Sequence, residues 1–294
     1  GLKAADRVLW VSSFEFDLSI FDLFGLLGVG AAVVVPAADA NRHPLDWAEL
    51  VQRHGVTVWN SVPAIAELML TAAGPRAPEL LRSLRLVMLS GDWIPLALPP
   101  RLHEVLDAQA RIFSLGGATE AAIWSIHFPI EHIDPLWRSI PYGMPLRNQR
   151  WHVFNEDLQP CPLHAVGGLF IAGAGLALGY WNDPEQTARR FIVHPRSGER
   201  LYDTGDLGRY LSDGTIEFLG RADHQVKLRG FRIELGEIEA ALAAHPSVLH
   251  AVVSLDRSPS SQRLVAYVVP RPGAAAPGAG ELREHTESLL PDYM

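Results

Sequence analysis

Cysteine is nearly absent from this chain: Cys161 is the single one in 294 residues. An internal disulfide is thereby excluded, and a thiol set between Pro160 and Pro162 reads as a loop residue rather than a nucleophile. Long apolar runs are missing too, since nothing approaches the roughly 20 residues of a membrane span, and no signal sequence opens the chain; a cytoplasmic protein is expected. Basic residues are short, 25 against 33 acidic for a net charge of −8, with no basic stripe interleaved with aromatics, so nucleic acid is not an expected partner. Metal-ligand spacing is lacking despite 12 histidines: His127 and His132 stand five apart with Pro129 between them, and zinc is not indicated. No kinase-type or ATP-grasp glycine-rich loop occurs. What remains, 48% apolar and 20% charged residues, describes a globular chain long enough for more than one structural unit.

Residues 1–130 alternate β-type runs (VLWVSS, AAVVVP, VTVWNSV, LRLVMLSG, ARIFSL) with helical ones (LDWAELVQRHG, AIAELMLTAAG, LPPRLHEVLDAQ). This pattern predicts a layered α/β unit with ligands at the carboxyl ends of its strands. From 140 to 219 short β runs separated by Gly, Pro, Asn and Asp predict a β-rich subdomain, with a hairpin turn at Ser212-Asp213-Gly214. Residues 224–294 read β, α, β, β, α, a small α+β unit whose first helix presents Leu235, Ile238 and Leu242 on one face. RPGAAAPGAG, 271–280, reads as a surface loop with a helix from Glu281. The opening GLKAAD lacks an initiating methionine and the closing SLLPDYM lacks a stop signal, so the chain is expected to be part of something longer.

Four segments bear on chemistry. IFSLGGATEAAIW, 112–124, follows a β run with Gly116 and Gly117, which permit close approach of a ligand to the backbone. It then offers a hydroxyl, Thr119, and a carboxylate, Glu120, suited to a phosphate oxygen and to a hard cation such as Mg²⁺. A plain turn before a helix would read the same. LYDTGDLGRY, 201–210, sets Asp203 and Asp206 about a Thr-Gly turn; a carboxylate there could accept both hydroxyls of a ribose, or cap a hairpin. GRADHQVKLRGFRIELGEIE, 220–239, concentrates Arg221, Asp223, Lys227, Arg229 and Arg232 among β-type residues. FEFDLSIFDLFG, 14–25, sets Asp17 among Phe14, Phe16, Leu18 and Phe21, and is expected to bury it, which requires a partner cation.

In this order, FDLSIFDLFG, GGATE, IPYGMPL, GGLFIAGAGLALGYWNDPEQTARRF, YDTGDLGRYLSDGTIEFLGRADHQVKLRGFRIELGEIE and LPDYM resemble the adenylate-forming superfamily across essentially the whole chain. Within it they resemble the amino-acid adenylation domains of nonribosomal peptide synthetases, and the GGATE variant resembles siderophore-type synthetases. The resemblance implies an adenylate-forming α/β fold: residues 1–219 as the C-terminal part of the large core (1–139 α/β, 140–219 β-rich), 220–223 as a hinge pivoting at Asp223, and 224–294 as an incomplete, mobile α+β domain. It implies that Thr119 and Glu120 contact the ATP phosphates and Mg²⁺. Gly116 and Gly117 would line the nucleotide, Asp206 would take the ribose hydroxyls with Arg221 nearby, and Phe218 would pack on adenine. Asp17 would pair with the substrate's α-ammonium, and Lys227 would face the active site during thioester formation. The family's phosphate loop would precede residue 1 and its C-terminal catalytic lysine would follow Met294, so adenylation by this stretch alone is expected to be nearly abolished. Gly116 and Ala118 replace the Tyr and Pro of the common YGPTE pattern, so the aromatic stack on adenine lacks its usual source.

The side-chain pocket implied by the resemblance is Asp17, Leu18, Phe21, Asn60, Met88, Ser90, Leu115, Ile123 and Trp124. It is apolar but for Asp17, Asn60 and Ser90, and its polarizable aromatic and thioether lining suits a thiol. L-Cysteine is the expected substrate, serine or threonine next, with SGDWIP at 90–95 also resembling the cysteine-selecting pattern. Expected partners are a peptidyl carrier protein bearing a phosphopantetheine thiol, flanking synthetase domains and a small accessory protein. Two other readings stay open: an acyl- or aryl-CoA ligase, which Asp17 disfavours because its substrate lacks an ammonium, and a non-catalytic fragment that only docks carrier or accessory protein.

Overall fold

The computed structural model describes residues 1–37, 43–135, 137, 139–222, 225–228, 231–258, 261–273 and 275–294. The chain divides into two compact units, Gly1–Ala222 and Asp223–Met294. No helix among the described residues is long and apolar enough to cross a membrane.

The first unit is built on a seven-stranded sheet of order β2-β1-β3-β4-β5-β6-β7. Its strands are β1 (Arg7–Leu9), β2 (Ala32–Val34), β3 (Val58–Ser61), β4 (Leu86–Ser90), β5 (Arg111–Gly116), β6 (Ile126–Pro129) and β7 (Met144–Pro145). The first five pair in parallel and the last two antiparallel. Side chains alternate across a strand, so each strand serves two cores. Leu9, Trp59, Val87, Leu89 and Ile112 face one way, and against them pack Trp47, Ala48 and Val51 of α2 (Pro44–His54), Ala66, Met69 and Leu70 of α3 (Pro63–Ala73), Ala77 and Leu80 of α4 (Ala77–Leu80), and Leu98 and Leu102 of α5 (Leu98–Val105). The helices start where proline is tolerated, at the first turn of α2 and α3, and α2 stops at Gly55, which takes the left-handed conformation at φ 58°. The opposite face carries Val8, Val58, Leu86, Met88 and Leu115, covered by Phe21 and Leu26 of the segment 18–26 and by Trp124. Asn60 and Ser90 belong to this second face, since Asn60 pairs with Met88 and Ser90 with Leu115 in the parallel register.

The turn into β7 admits glycine alone. Gly143 has φ 98°, and a Cβ on it would lie 2.0 Å from the His127 carbonyl oxygen. Gly143→Ala is therefore expected to destabilise the fold by about 3 kcal/mol or more, read as a lowered midpoint in denaturant.

The second sheet of this unit runs β10-β11-β9-β8 with β12 on β11, all antiparallel. It comprises β8 (Gln149–Phe154), β9 (Gly167–Gly173), β10 (Phe191–Val193), β11 (Arg200–Tyr210) and β12 (Ile216–Arg221) around a core of Trp151, Leu169, Ile171, Tyr202, Ile216 and Phe218. α6 (Pro184–Arg190) is capped by Asp183, whose carboxylate accepts the Gln186 N–H at 2.9 Å.

The second unit holds β13 (Gln225–Leu228), β14 (Phe231–Glu234), α7 (Leu235–Ala243), β15 (Val248–Ser258), β16 (Ser261–Pro270) and α8 (Ala279–Glu287). Leu235, Ile238 and Leu242 are buried together on α7. QVKLRG is not one strand leading to a helix: β13 pairs antiparallel with β14. The final helix begins at Ala279, two residues before the sequence expectation.

Candidate active site

Two of the motifs meet at the mouth of the parallel sheet. β5 ends at Gly116 and the chain turns sharply back to β6 through a short 3₁₀ turn, Thr119–Ala121. Gly117 has no room for a side chain there, since a Cβ would sit 2.4 Å from the Ile123 carbonyl oxygen. Ala122 and Ile123 both take positive φ, 60° and 71°, a local strain that surrounding contacts must hold in place. The turn leaves Thr119 exposed, and its hydroxyl donates to Asp17 Oδ2 at 2.6 Å across 102 residues of sequence. Glu120 is buried, and Tyr180 Oη donates to its Oε1 at 2.7 Å. A carboxylate at this turn offers the oxygen donors a hard cation takes.

Close to this turn lie the residues expected to line a side-chain pocket. Phe21 and Trp124 meet at 4.7 Å between ring centroids, and both pack with Met88 and Leu115 on the second face of the parallel sheet. Leu18, Asn60 and Ser90 are buried; Ile123 is half-buried on the loop above. Asn60 and Ser90 share that sheet face with Met88 and Leu115, so six of the nine expected pocket positions are brought into one place.

Asp17 itself departs from expectation. It is half-buried at the start of the short helix α1 (Leu18–Ile20), because Phe14 beside it is 67% exposed rather than folded over it. The buried acid of this segment is Asp22, fully excluded from solvent in a π-helical turn, Phe21–Gly25. Burial pushes its carboxyl up to about 7 against the opposing pull of a hydrogen bond from Asn60 Nδ2 at 2.9 Å. The sequence reading missed Asp22, although an acid inside IFDLFG was there to be noticed.

The residues expected to meet a nucleotide form a second group. Asp206 and Arg221 face each other in the β11–β12 register, and Arg221 Nη1 donates to Asp206 Oδ1 at 2.9 Å, with Asp206 buried and Arg221 partly so. Phe218 is 6% exposed, stacked on Tyr142 at 4.9 Å and met by Trp93 at 5.0 Å. It is thus packed into aromatic neighbours rather than open to a ligand. Tyr142 is the aromatic that sequence reasoning missed. A Cβ at Gly116 would approach its ring to 3.5 Å and Ile126 to 2.8 Å, so Tyr142 lies against the space a side chain at 116 would enter. Burial holds its phenol well above the usual range, with Asp206 adding to the effect, and it stays a neutral donor. Asp223 lies outside the described residues, and for Lys227, on β13, the structure describes the backbone alone.

Known proteins are similar to this chain in sequence and fold. The model of the AMP-binding enzyme family matches residues 1–181, and that of the AMP-binding enzyme C-terminal domain matches 237–294. Pyochelin synthetase PchE of Pseudomonas aeruginosa is 51% identical over 281 residues, covering 96% of this chain and 19% of that protein; the chain thus spans about a fifth of the length of this relative. A nonribosomal peptide synthetase, FmoA3, solved in an AMPPNP-bound form, is 46% identical with TM-score 0.72, covering 82% of this chain and 25% of that one. NpsA-ThdA, an artificially fused adenylation and carrier di-domain from Klebsiella oxytoca, is 30% identical with TM-score 0.82, covering 100% and 57%.

Proposed function

Since the chain belongs to the AMP-binding enzyme family and has the fold of its adenylation domains, we propose that the full-length protein activates an amino acid with ATP and passes it to a carrier-protein thiol. The observation that carries this reading is the Thr119–Asp17 hydrogen bond. It joins the residue suited to phosphate and the residue suited to an ammonium, and Trp124, a few residues beyond Thr119, packs with Met88 and Leu115 on the parallel sheet. An amino acid with its ammonium on Asp17 would extend its carboxylate toward Thr119 and its side chain over Met88 and Leu115. The carboxylate oxygen attacks the α-phosphorus of ATP and pyrophosphate leaves. The carrier's phosphopantetheine thiol then attacks the acyl carbon and AMP leaves. The protein's contribution is positioning and neutralisation of developing charge. Mg²⁺, which Glu120 fits, would offset charge on the phosphates.

On the nucleotide side Asp206, aligned by Arg221, would take the ribose hydroxyls. Tyr142, braced by Phe218, would supply the aromatic surface that Gly116 does not. Tyr142→Ala is expected to raise the KM for ATP by about tenfold while the KM for the amino acid stays within about twofold. An unchanged KM for ATP would remove Tyr142 from the nucleotide site.

L-Cysteine is the proposed substrate, because Phe21, Met88 and Trp124 offer polarizable packing while Asn60 and Ser90 offer modest polarity. Amino-acid-dependent pyrophosphate exchange by the full-length protein tests both levels. A maximum at cysteine supports the whole reading, and a maximum elsewhere retains the reaction but not the pocket. Exchange with acyl or aryl acids alone favours the CoA-ligase reading, and carrier binding without any exchange favours the docking one.

A further inference from the structure

Among the described residues, the buried side-chain polar atoms without a hydrogen-bond partner include Asp22 Oδ2, Asn60 Oδ1, Ser90 Oγ and Trp124 Nε1. Folded proteins leave few such atoms. Four in one neighbourhood, on residues that line or brace the proposed amino-acid pocket, mark a place where a ligand completes the hydrogen bonding. The arrangement is also directional. Asn60 commits its amide group to one side, donating to Asp22 Oδ1 at 2.9 Å and to the Leu18 carbonyl at 3.3 Å. Both amide hydrogens are then used, and what Asn60 has left is its carbonyl oxygen, an acceptor.

We propose that Asp22 is a specificity-determining positioning residue: by holding the amide hydrogens of Asn60 it makes the floor of the pocket an acceptor for a substrate side chain that carries a hydrogen-bond donor, a thiol or a hydroxyl. The inference rests on the adenylation reading above and deepens it. An S–H or O–H group satisfies the Asn60 carbonyl, while a methyl of the same size leaves buried polar atoms unpaired, at a cost that falls on that substrate alone. Without Asp22 the carboxamide is free to turn its amide group toward the pocket, and the distinction is lost. The setting fits such a role. A carboxyl at zero exposure is costly to bury, and its π-helical turn, a rare form frequent at functional sites, is what carries it inward beside Phe21.

The test uses pyrophosphate exchange by the full-length protein with L-cysteine and with L-2-aminobutyrate, in which a methyl replaces the thiol. The wild type prefers cysteine. Asp22→Leu is expected to reduce that preference about tenfold, through the KM for cysteine and with the KM for ATP unchanged. Asp22→Asn, which still offers an oxygen to the Asn60 amide, restores most of it, an outcome that a merely structural role for Asp22 does not give. Asn60→Ala is expected to produce the same loss, and the double variant Asp22→Leu/Asn60→Ala no further loss. A preference unchanged in Asn60→Ala overturns the proposal whether or not Asp22→Leu folds, as does an unchanged preference in folded Asp22→Leu. Failure of the adenylation reading looks different: the wild type then exchanges with no amino acid, and the proposal falls with it.

Discussion

Replacing Asp17 by alanine in the full-length protein is expected to raise the KM for the amino acid by about a hundredfold or more, while the KM for ATP moves by less than about threefold. The reason is electrostatic. Asp17 is a half-buried carboxylate whose partner in this structure is the Thr119 hydroxyl, a neutral donor that an α-ammonium can replace with a stronger, charge-assisted bond. Asp17→Asn keeps the shape and the hydrogen-bond acceptor yet lacks the charge, so it is expected to behave like the alanine variant. Kinetics of pyrophosphate exchange at varied amino acid and at varied ATP separate the two KM values. Equal losses for both substrates would mean that Asp17 serves the fold of the loop rather than the ammonium.

The second large effect is expected at Glu120. Glu120→Ala should lower kcat by about 10²- to 10³-fold, and a milder Glu120→Gln should raise the Mg²⁺ concentration needed for half-maximal exchange. Because Tyr180 Oη donates to Glu120, a structural explanation competes with the catalytic one. Tyr180→Phe separates them: it removes the same hydrogen bond but leaves the carboxylate, and is expected to cost no more than about threefold. If Tyr180→Phe and Glu120→Ala fall together, the Glu120–Tyr180 pair is a brace for the loop.

These two predictions depend on a site whose parts were unequally legible in the sequence. The strands of the parallel sheet were readable because each is a short apolar run between turn residues, and the helices because proline and glycine mark their ends. The pocket positions Phe21, Asn60, Met88, Ser90 and Leu115 came from motif resemblance, and the sheet face shared by the last four follows from strand register. No local pattern contains that register.

In FEFDLSIFDLFG the sequence points to burial of Asp17 and is silent on Asp22, whereas Asp17 is half-buried and Asp22 fully buried. Sequence proximity to Phe14 and Phe16 argued for burying Asp17, but Phe14 points outward and a π-helical turn carries Asp22 inward instead. An extra residue in one turn rotates everything after it, and helical periodicity has no means of anticipating it. Tyr142 was missed for a different reason. Its contact with the space at Gly116 is made through the β5–β6–β7 pairing, so the missing aromatic of GGATE and the tyrosine of IPYGMPL look unrelated until the strands are in place.

The measurement that tests the central claim most directly is the mass of the carrier after the full-length protein, with its phosphopantetheine attached, is incubated with ATP, Mg²⁺ and an equimolar mixture of amino acids. The account predicts that the carrier gains one cysteinyl residue, dependent on ATP and lost in Asp17→Ala. A carrier that gains no amino acid under these conditions, while the protein binds ATP, would contradict it.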